Sequence, residues 1–336
     1  MKKVLLTGAT GFIGKQLLNH LLMKQYSLRV LLRDANASIL NDNHVDIFTG
    51  DLTQPASLIN VCENIDTVFH LAAYAHDTGR NDSELAHKHH AINYLGTKHI
   101  LAEAVRSKVK HFLYVSSVKA VADDESCIDE NWDQQPNTPY GIAKRQAENL
   151  VLSVGKENNM HVSILRPPLV YGPNLKGNLA AMLKAIDKGY FPPLPDTHNK
   201  RSLVSVYDIC EAALLAAYHP KANGKIYFVT DGVDYSTRRL YDLMCQALGK
   251  SPYAWYVPIN IFKLLAFAGT AMEKLLGKQM PINLDSMKKL LGSAQYSSQQ
   301  IQNDLNFKPV YQLQEMLPDI IAAYRQQQLI VNVLHD

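Results

Sequence analysis

The chain has 336 residues, 47% of them apolar and 19% charged, an ordinary globular composition with material for one large domain or two smaller ones. A net charge of only +3, with basic spots as short as LLRD and AKRQ on mixed-sign segments, argues against nucleic acid as a partner. Cys62, Cys127, Cys210 and Cys245 are dispersed and form no CxxC pair, which excludes a zinc site and points to free thiols in a reducing compartment.

The opening, MKKVLLTGATGFIG, has an apolar run too short and too broken for a secretory signal, so a cytoplasmic protein is expected. From there the pattern alternates. KKVLLT reads as a strand, GFIGKQLLNHLLMK as a helix and SLRVLLR as a strand; VDIFTG and TVFHLAA continue the strands. GTKHILAEAVRSK has helical spacing, HFLYVSS is a strand, TPYGIAKRQAENLVLSVGKE a long helix, and HVSILRP a further strand. Nearly continuous apolar strands alternating with helices predict an α/β fold, a parallel sheet covered on both faces. After Pro167 the texture changes to loops rich in Pro, Gly and Asn, with RSLVSV and KIYFVTD as strands, the second returning to the sheet. The predicted organisation is a dinucleotide-binding domain of residues 1–167 plus about 203–230. A smaller substrate lobe takes about 168–202 and 231–336.

One late segment, INIFKLLAFAGTAMEKLLG at 259–277, is strongly apolar but interrupted by Lys263, Glu273 and Lys274, so it falls short of a membrane span. It reads first as a helix packed on the C-terminal core. A helix lying at a membrane interface, or a partner-binding face, is the alternative.

Chemistry concentrates at two places. TGATGFIG follows the first strand and opens the first helix, with Gly8, Gly11 and Gly14 spaced GxxGxxG. Such glycines permit a tight turn and close backbone approach to a pyrophosphate, and the helix start supplies free N–H groups. Thr10, Phe12 and Ile13 share that turn, so a dinucleotide site is expected there. At the end of the second strand stands Arg33, followed by Asp34; a cation suits the 2′-phosphate of NADP(H), which is favoured over NAD, although an acidic residue there would take ribose hydroxyls. Asp51 and Leu52 follow the third strand, Asp51 as an acceptor for the adenine amino group. Leu71, Ala72 and Ala73 follow the fourth and are small enough to let the cofactor lie against the sheet edge.

The second place is YGIAK, where Tyr140 and Lys144 share a helix face one turn apart. The same spacing recurs in YLGTK at Tyr94–Lys98, and with seventeen tyrosines about one such pair arises by chance. Context separates them. Tyr94 precedes a sheet-covering helix and has no second catalytic group nearby, so it reads as structural. Tyr140 follows a hydroxyl-bearing strand end, VSS, on the rim where open α/β sheets bind ligands. Tyr140 then serves as general acid/base, Lys144 favours its phenolate and reaches the nicotinamide ribose, and Ser117 orients the reacting oxygen.

TGATGFIG, GDL at 50–52, HLAA at 70–73, NYLGT at 93–97, YVSS at 114–117, YGIAK at 140–144 and LRPPLVYGP at 165–173 occur in that order. The ordered set resembles the extended short-chain dehydrogenase/reductases, in particular their nucleotide-sugar epimerase/dehydratase branch. The resemblance implies a Rossmann-type doubly wound sheet, a C-terminal substrate lobe and commonly a homodimer through a four-helix contact. It also implies Ser117, Tyr140 and Lys144 as the catalytic set, with Pro167 beside the cofactor. RSLVSVYD at 201–208 looks like the segment whose Arg contacts the substrate diphosphate, which makes Arg201 a substrate-binding candidate; Asn178, shortly after YGP, is a second. Val118 and Lys119 stand where the 4,6-dehydratases carry an Asp–Glu pair, so dehydration is rejected. Leu169 replaces the Asn of the typical epimerase, and LLGSAQYSS at 290–298 lacks its second phosphate-binding Arg. The SSVK run and the C-terminal tail look more like enzymes that make surface-polysaccharide precursors.

The expected function is therefore NAD(P)-dependent chemistry at C4 of a nucleotide-diphospho sugar, either 4-keto reduction or 4-epimerisation. Two other readings stand beside it: reduction of a small non-nucleotide carbonyl, and a non-catalytic dinucleotide-sensing protein. No metal is implied.

Overall fold

The computed structural model describes residues 2–34, 45–75, 83–124, 126–276, 280 and 283–333. In chain order the strands are β1 (Lys3–Thr7), β2 (Ser27–Leu32), β3 (Val45–Thr49), β4 (Thr67–His70), β5 (His111–Val115) and β6 (Cys127–Ile128). They continue with β7 (His161–Arg166), β8 (Leu169–Tyr171), β9 (Arg201–Ser205), β10 (Lys225–Phe228), β11 (Asp234–Tyr235) and β12 (Gln295–Tyr296). The helices are α1 (Phe12–Met23), α2 (Ser83–His89), α3 (Gly96–Arg106), α4 (Pro139–Glu157), α5 (Gly177–Asp187) and α6 (Val206–Tyr218). After them come α7 (Thr237–Leu248), α8 (Ile259–Leu276), α9 (Leu284–Leu291), α10 (Gln299–Leu305) and α11 (Leu313–Val333).

Seven strands form one parallel sheet in the order β10-β7-β5-β4-β1-β2-β3. The chain first moves outward from β1 through β2 to β3, then returns to β4 and continues the other way. The order reverses between β1 and β4, and at such a switch point a crevice opens beyond the carboxyl ends of the strands. The pleat distributes the side chains as alternation requires. Val4 and Leu6 of β1, with Leu113, Val115 and Leu165, pack with α1, α6 and α10 on one face. Leu5, Phe112, Tyr114, Val162 and Ile164 pack with α3 and α4 on the other. Every strand of the inner sheet is thus apolar on both sides, which is why the sequence shows continuous runs.

A second core gathers Tyr171 of β8, Leu203 of β9, Tyr235 of β11 and residues of α5, α7, α8 and α11. β9 joins the two cores, because Val204 faces the first and Leu203 the second. Buried polar contacts tie α11 down. The Asp208 carboxylate accepts from Val310 N at 2.9 Å and Tyr311 N at 3.2 Å, and Asp231 accepts from the hydroxyls of Tyr171 and Tyr235 at 2.9 and 3.0 Å.

Two local features go beyond the sequence-based reading. Residues His90–Leu95, just before the helix expected to cover the sheet, form a π-helical turn continuous with α3. The wider turn lets Asn93 point back at the sheet edge instead of following the α-helical stripe. Within the apolar segment, Ile259–Leu276 form a helix that meets the C-terminal core through Phe262, with Ala266 buried on the same side. Most of its other apolar side chains face solvent.

Candidate functional site

The glycine loop is built by exclusion of side chains. Gly8 sits in the left-handed region at φ +76°, and a Cβ there would lie 2.6 Å from Ala72 N. A Cβ on Gly14 would fall 2.0 Å from Gly8 O, so α1 can press onto the loop only because Gly14 has none. Gly11 caps α1 in an extended conformation and donates to Gly8 O at 2.9 Å. The result is a cleft of about 540 Å³. Gly8, Thr10, Gly11, Arg33, Asp51, Leu52, Leu71, Ala72 and Ala73 line it, all of them expected from the sequence; Asp34, Gly50, Tyr74 and Ile92 also contribute. Phe12, Ile13 and Gly14 stand in the first turn of α1 instead, where they can offer backbone N–H groups; Gly14 is buried against the loop. A small, open-walled crevice ending at a helix N-terminus suits a dinucleotide.

The Asp51 carboxylate is held below its ordinary range, first by Thr53 N, which donates to Oδ1 at 2.8 Å, then by the Thr53 hydroxyl and by the charge of Arg33. Arg33 is exposed at the end of β2, beside Asp34 in the same cleft wall.

A chain of hydrogen bonds holds the opposite wall. Ala72 N donates to Thr7 Oγ1 at 3.2 Å, and Thr7 Oγ1 lies 2.8 Å from His70 Nδ1. His70 Nε2 lies 3.0 Å from Thr97 Oγ1, which donates to Asn93 O at 2.7 Å. Because the Thr97 proton is committed to Asn93, Thr97 accepts from Nε2–H, and Nδ1 accepts from Thr7. His70 is therefore neutral with its proton on Nε2; burial pushes its pKa down to about 3, with the Lys144 charge acting in the same direction. Asn93 closes the circuit by pairing with the Tyr74 backbone, accepting from N at 2.7 Å and donating to O at 3.0 Å. Asn93 and His70 lie within NYLGT and HLAA, yet sequence reading did not assign either a role, because their function depends on partners about twenty or more positions away.

Lys144 is 2% exposed, and its ammonium donates to Val115 O at 2.9 Å and sits 4.6 Å from the Tyr114 ring centre. Burial lowers its pKa to about 7, with Glu148 one turn further on pulling the other way. Tyr140 occupies the first turn of α4, whose start is fixed by Thr138 accepting from Gly141 N at 3.1 Å and by Pro139. Its ring meets that of His89 edge-on at 5.4 Å, and His89 in turn packs on Tyr74 at 5.2 Å.

Ser117 begins the turn Val118–Ala120, its Oγ accepting from Lys119 N at 3.2 Å. That turn abuts the start of α4, since a Cβ on Gly141 would lie 2.3 Å from Lys119 O. Val118 N donates to the buried Pro167 at 3.2 Å, so Pro167 borders the same rim. Tyr140, Lys144, Ser117 and Pro167 are thus gathered around the carboxyl end of β5. The second Tyr–Lys pair is not comparable: Tyr94 packs on the core and Lys98 points to solvent.

α4 is locked to the sheet by a pair that sequence reading missed. Glu148 and Arg166 are both buried and bidentate, at 2.9 Å from Nε and 2.6 Å from a terminal nitrogen. Lys144 and Glu148 are four residues apart, so the bond that fixes Glu148 also fixes the turn that carries Lys144.

Arg201 is half-buried at the start of β9, donating to Thr237 Oγ1 at 3.3 Å and Gly292 O at 3.0 Å. Burial lowers the pKa of its guanidinium from the ordinary value, and the carboxylate of Asp123 acts in the opposite direction. Asp123 also pairs with Lys119 at 2.7 Å, which links Arg201 electrostatically to the turn that starts at Ser117. The segment 290–298, which lacks an Arg, therefore lies directly beside the Arg that is present. Asn178 is exposed in the first turn of α5. Among the described residues there is no metal-binding group of His, Cys, Asp or Glu.

Residues 4–229 match the model of the NAD dependent epimerase/dehydratase family. A UDP-glucose 4-epimerase of Vibrio cholerae is 32% identical over 97% of this chain and 96% of its own. An N-acetyl-alpha-D-glucosaminyl-diphospho-ditrans,octacis-undecaprenol 4-epimerase of Escherichia coli O157:H7 is 26% identical over 89% of this chain and 88% of its own. In fold, the chain is similar to a crystal structure of UDP-glucose 4-epimerase with UDP-glucose from Thermotoga maritima, with a TM-score of 0.78 and 20% identity, covering 97% of this chain and 99% of that one.

Proposed function

The chain belongs to the NAD-dependent epimerase/dehydratase family, and from that premise we propose that it inverts the configuration at C4 of a nucleotide-diphospho sugar, most directly a UDP-hexose. The observation that carries the reading is the buried Lys144, one helical turn from Tyr140 and beside the turn of Ser117. A buried ammonium is costly there; Glu148 one turn on offsets part of the cost, and a phenolate on Tyr140 would offset more. An ordinary phenol titrates near pH ~10, and a neighbouring positive charge favours the phenolate that a base at this position needs. Tyr140 takes the C4 hydroxyl proton and returns it, and the Ser117 hydroxyl orients the same oxygen.

The glycine loop and the N-terminus of α1 would hold the cofactor's pyrophosphate, with Asp51, Leu52 and residues 71–73 along the adenosine and the sheet edge. When bound, NAD supplies a reversible acceptor for the hydrogen and electron pair at C4. Arg201 grips the sugar's diphosphate. Lys119 is engaged with Asp123 and Val118 is buried, so the turn after Ser117 offers no acid–base pair for elimination.

Arg33 in the cleft wall favours a second reading, consumption of NADPH in reducing a 4-keto sugar. Incubating the purified chain with NAD and UDP-hexoses, and separately with NADPH and a UDP-4-keto-hexose, separates the two. The epimerase gives the C4 epimer, detected by NMR, with no net change in nicotinamide absorbance; the reductase changes it with every turnover. Tyr140→Phe is expected to keep NAD binding while turnover falls about 100-fold or more. Turnover equal to the parent would overturn the assignment.

A further inference from the structure

The helix α8 presents a surface the catalytic reading does not use. Phe262, 2% exposed, anchors it to the core of the substrate lobe, and Ala266 is buried on the same side. On the other side Leu264 is 68% and Phe267 65% exposed, with Ile261, Leu265 and Met272 also in solvent. At about 100° per residue these side chains, with Ala268 and Ala271, fill an arc of about 160° that contains no charge. An exposed apolar face of that kind marks an interaction site.

Its border identifies the partner. Trp255 and Tyr256, both exposed, lead into the helix, and amphipathic rings of this type settle at lipid headgroup level. Lys263 stands at the edge of the arc, exposed, and Lys288 is exposed on the neighbouring α9, whereas Lys250 is engaged by Asp187 at the end of α5. The carboxylate of Glu273 is turned inward, accepting from Met280 N at 2.6 Å and Asn283 Nδ2 at 2.7 Å. The face therefore meets its surroundings as an apolar strip with a cationic rim. No helix among the described residues is long and apolar enough to cross a membrane, so the strip can lie on a bilayer but not span it.

We propose that α8 docks this chain on an anionic phospholipid surface, its apolar arc among the headgroups and Lys263 against lipid phosphate. The lobe that supplies Thr237 to Arg201 is then held at the membrane. The proposal goes beyond the sugar chemistry and stands whichever substrate the cleft takes.

The test is co-sedimentation of the full chain with vesicles of equal parts phosphatidylglycerol and phosphatidylcholine, and with phosphatidylcholine alone. The parent is expected in the pellet with the anionic vesicles and largely in the supernatant with the neutral ones. The double variant Leu264→Ser, Phe267→Ser loses at least about tenfold in partitioning. Lys263→Glu, which keeps the apolar arc, weakens binding to the anionic vesicles. The substituted side chains are exposed, so thermal unfolding and NAD binding remain at parental values. A parent that stays in the supernatant, or a double variant that pellets equally, overturns the proposal. So does light scattering in which the parent is a dimer and the double variant a monomer, since a second copy of this chain then covers the face.

Discussion

Replacing Gly8 with alanine tests the cofactor cleft at its tightest point. Two costs combine there. The left-handed backbone at φ +76° is worth about 1–2 kcal/mol against any L side chain. The new Cβ would also stand 2.6 Å from Ala72 N and 2.8 Å from Ala72 Cα and the Leu71 carbonyl carbon, backbone atoms that yield only if the end of β4 moves. Overpacking of this sort adds about 1–3 kcal/mol, for a total of about 2–5. Gly189 provides the control, because it has the same conformation, φ +77°, with nothing within 4 Å of its Cβ position. Gly189→Ala carries the conformational cost alone.

For a chain of 336 residues the unfolding entropy is about 0.7 kcal/mol/K, so Gly189→Ala lowers Tm by about 2 °C and Gly8→Ala by about 3–7 °C. The functional contrast is sharper. Displacing residues 71–73 moves a wall of the cleft, and NAD affinity, measured by titration calorimetry, falls about 100-fold or more in Gly8→Ala while Gly189→Ala binds as the parent does. Equal effects of the two substitutions on Tm and on NAD would refute the steric argument and with it the placement of the cofactor.

Two further outcomes follow from the buried charges behind the catalytic turn. Glu148→Ala strands the Arg166 guanidinium in the core and is expected to cost about 3–5 kcal/mol, read as a Tm drop in scanning calorimetry; the double variant Glu148→Met, Arg166→Met recovers most of the loss, and an unshifted single variant would show that the pair holds nothing. Lys144 titrates lower in the folded chain, at about 7, than in the unfolded one, at about 10.4, so between these values the unfolded state binds the extra proton and stability rises with pH. Denaturant unfolding of the parent against Lys144→Met should show the parent gaining by up to about 1.4 kcal/mol per pH unit above neutrality, and a flat difference would mean that Lys144 is not desolvated.

Much of the dinucleotide half is legible in one dimension because its signals are local. Continuous apolar strands, amphipathic helices and a glycine turn between them are each consequences of a few neighbouring residues, and right-handed crossovers leave few ways to assemble them. Nine of the residues read as cofactor contacts line the observed cleft for this reason. Other roles depend on partners distant in the chain. Glu148 looks like any surface carboxylate on a long helix until β7 brings Arg166 under it. Asn93 and His70 lie within the strings NYLGT and HLAA, but their hydrogen bonds run to Tyr74, Thr7 and Thr97. The apolar string 259–277 shows hydrophobicity without showing what covers it; only the packing of Phe262 and Ala266 reveals which stripe is inside.

By itself, then, the amino-acid order determined the parallel sheet, the phosphate-binding turn and the presence of a phenol and an ammonium one helical turn apart, because backbone geometry and side-chain periodicity act over a few residues. Tertiary structure alone decided that Lys144 is buried against Val115, that His70 is neutral, and that one face of α8 stays in solvent. Burial, tautomer and exposure are set by groups that approach from elsewhere in the chain, and the energy of a charge or an apolar surface depends on what surrounds it.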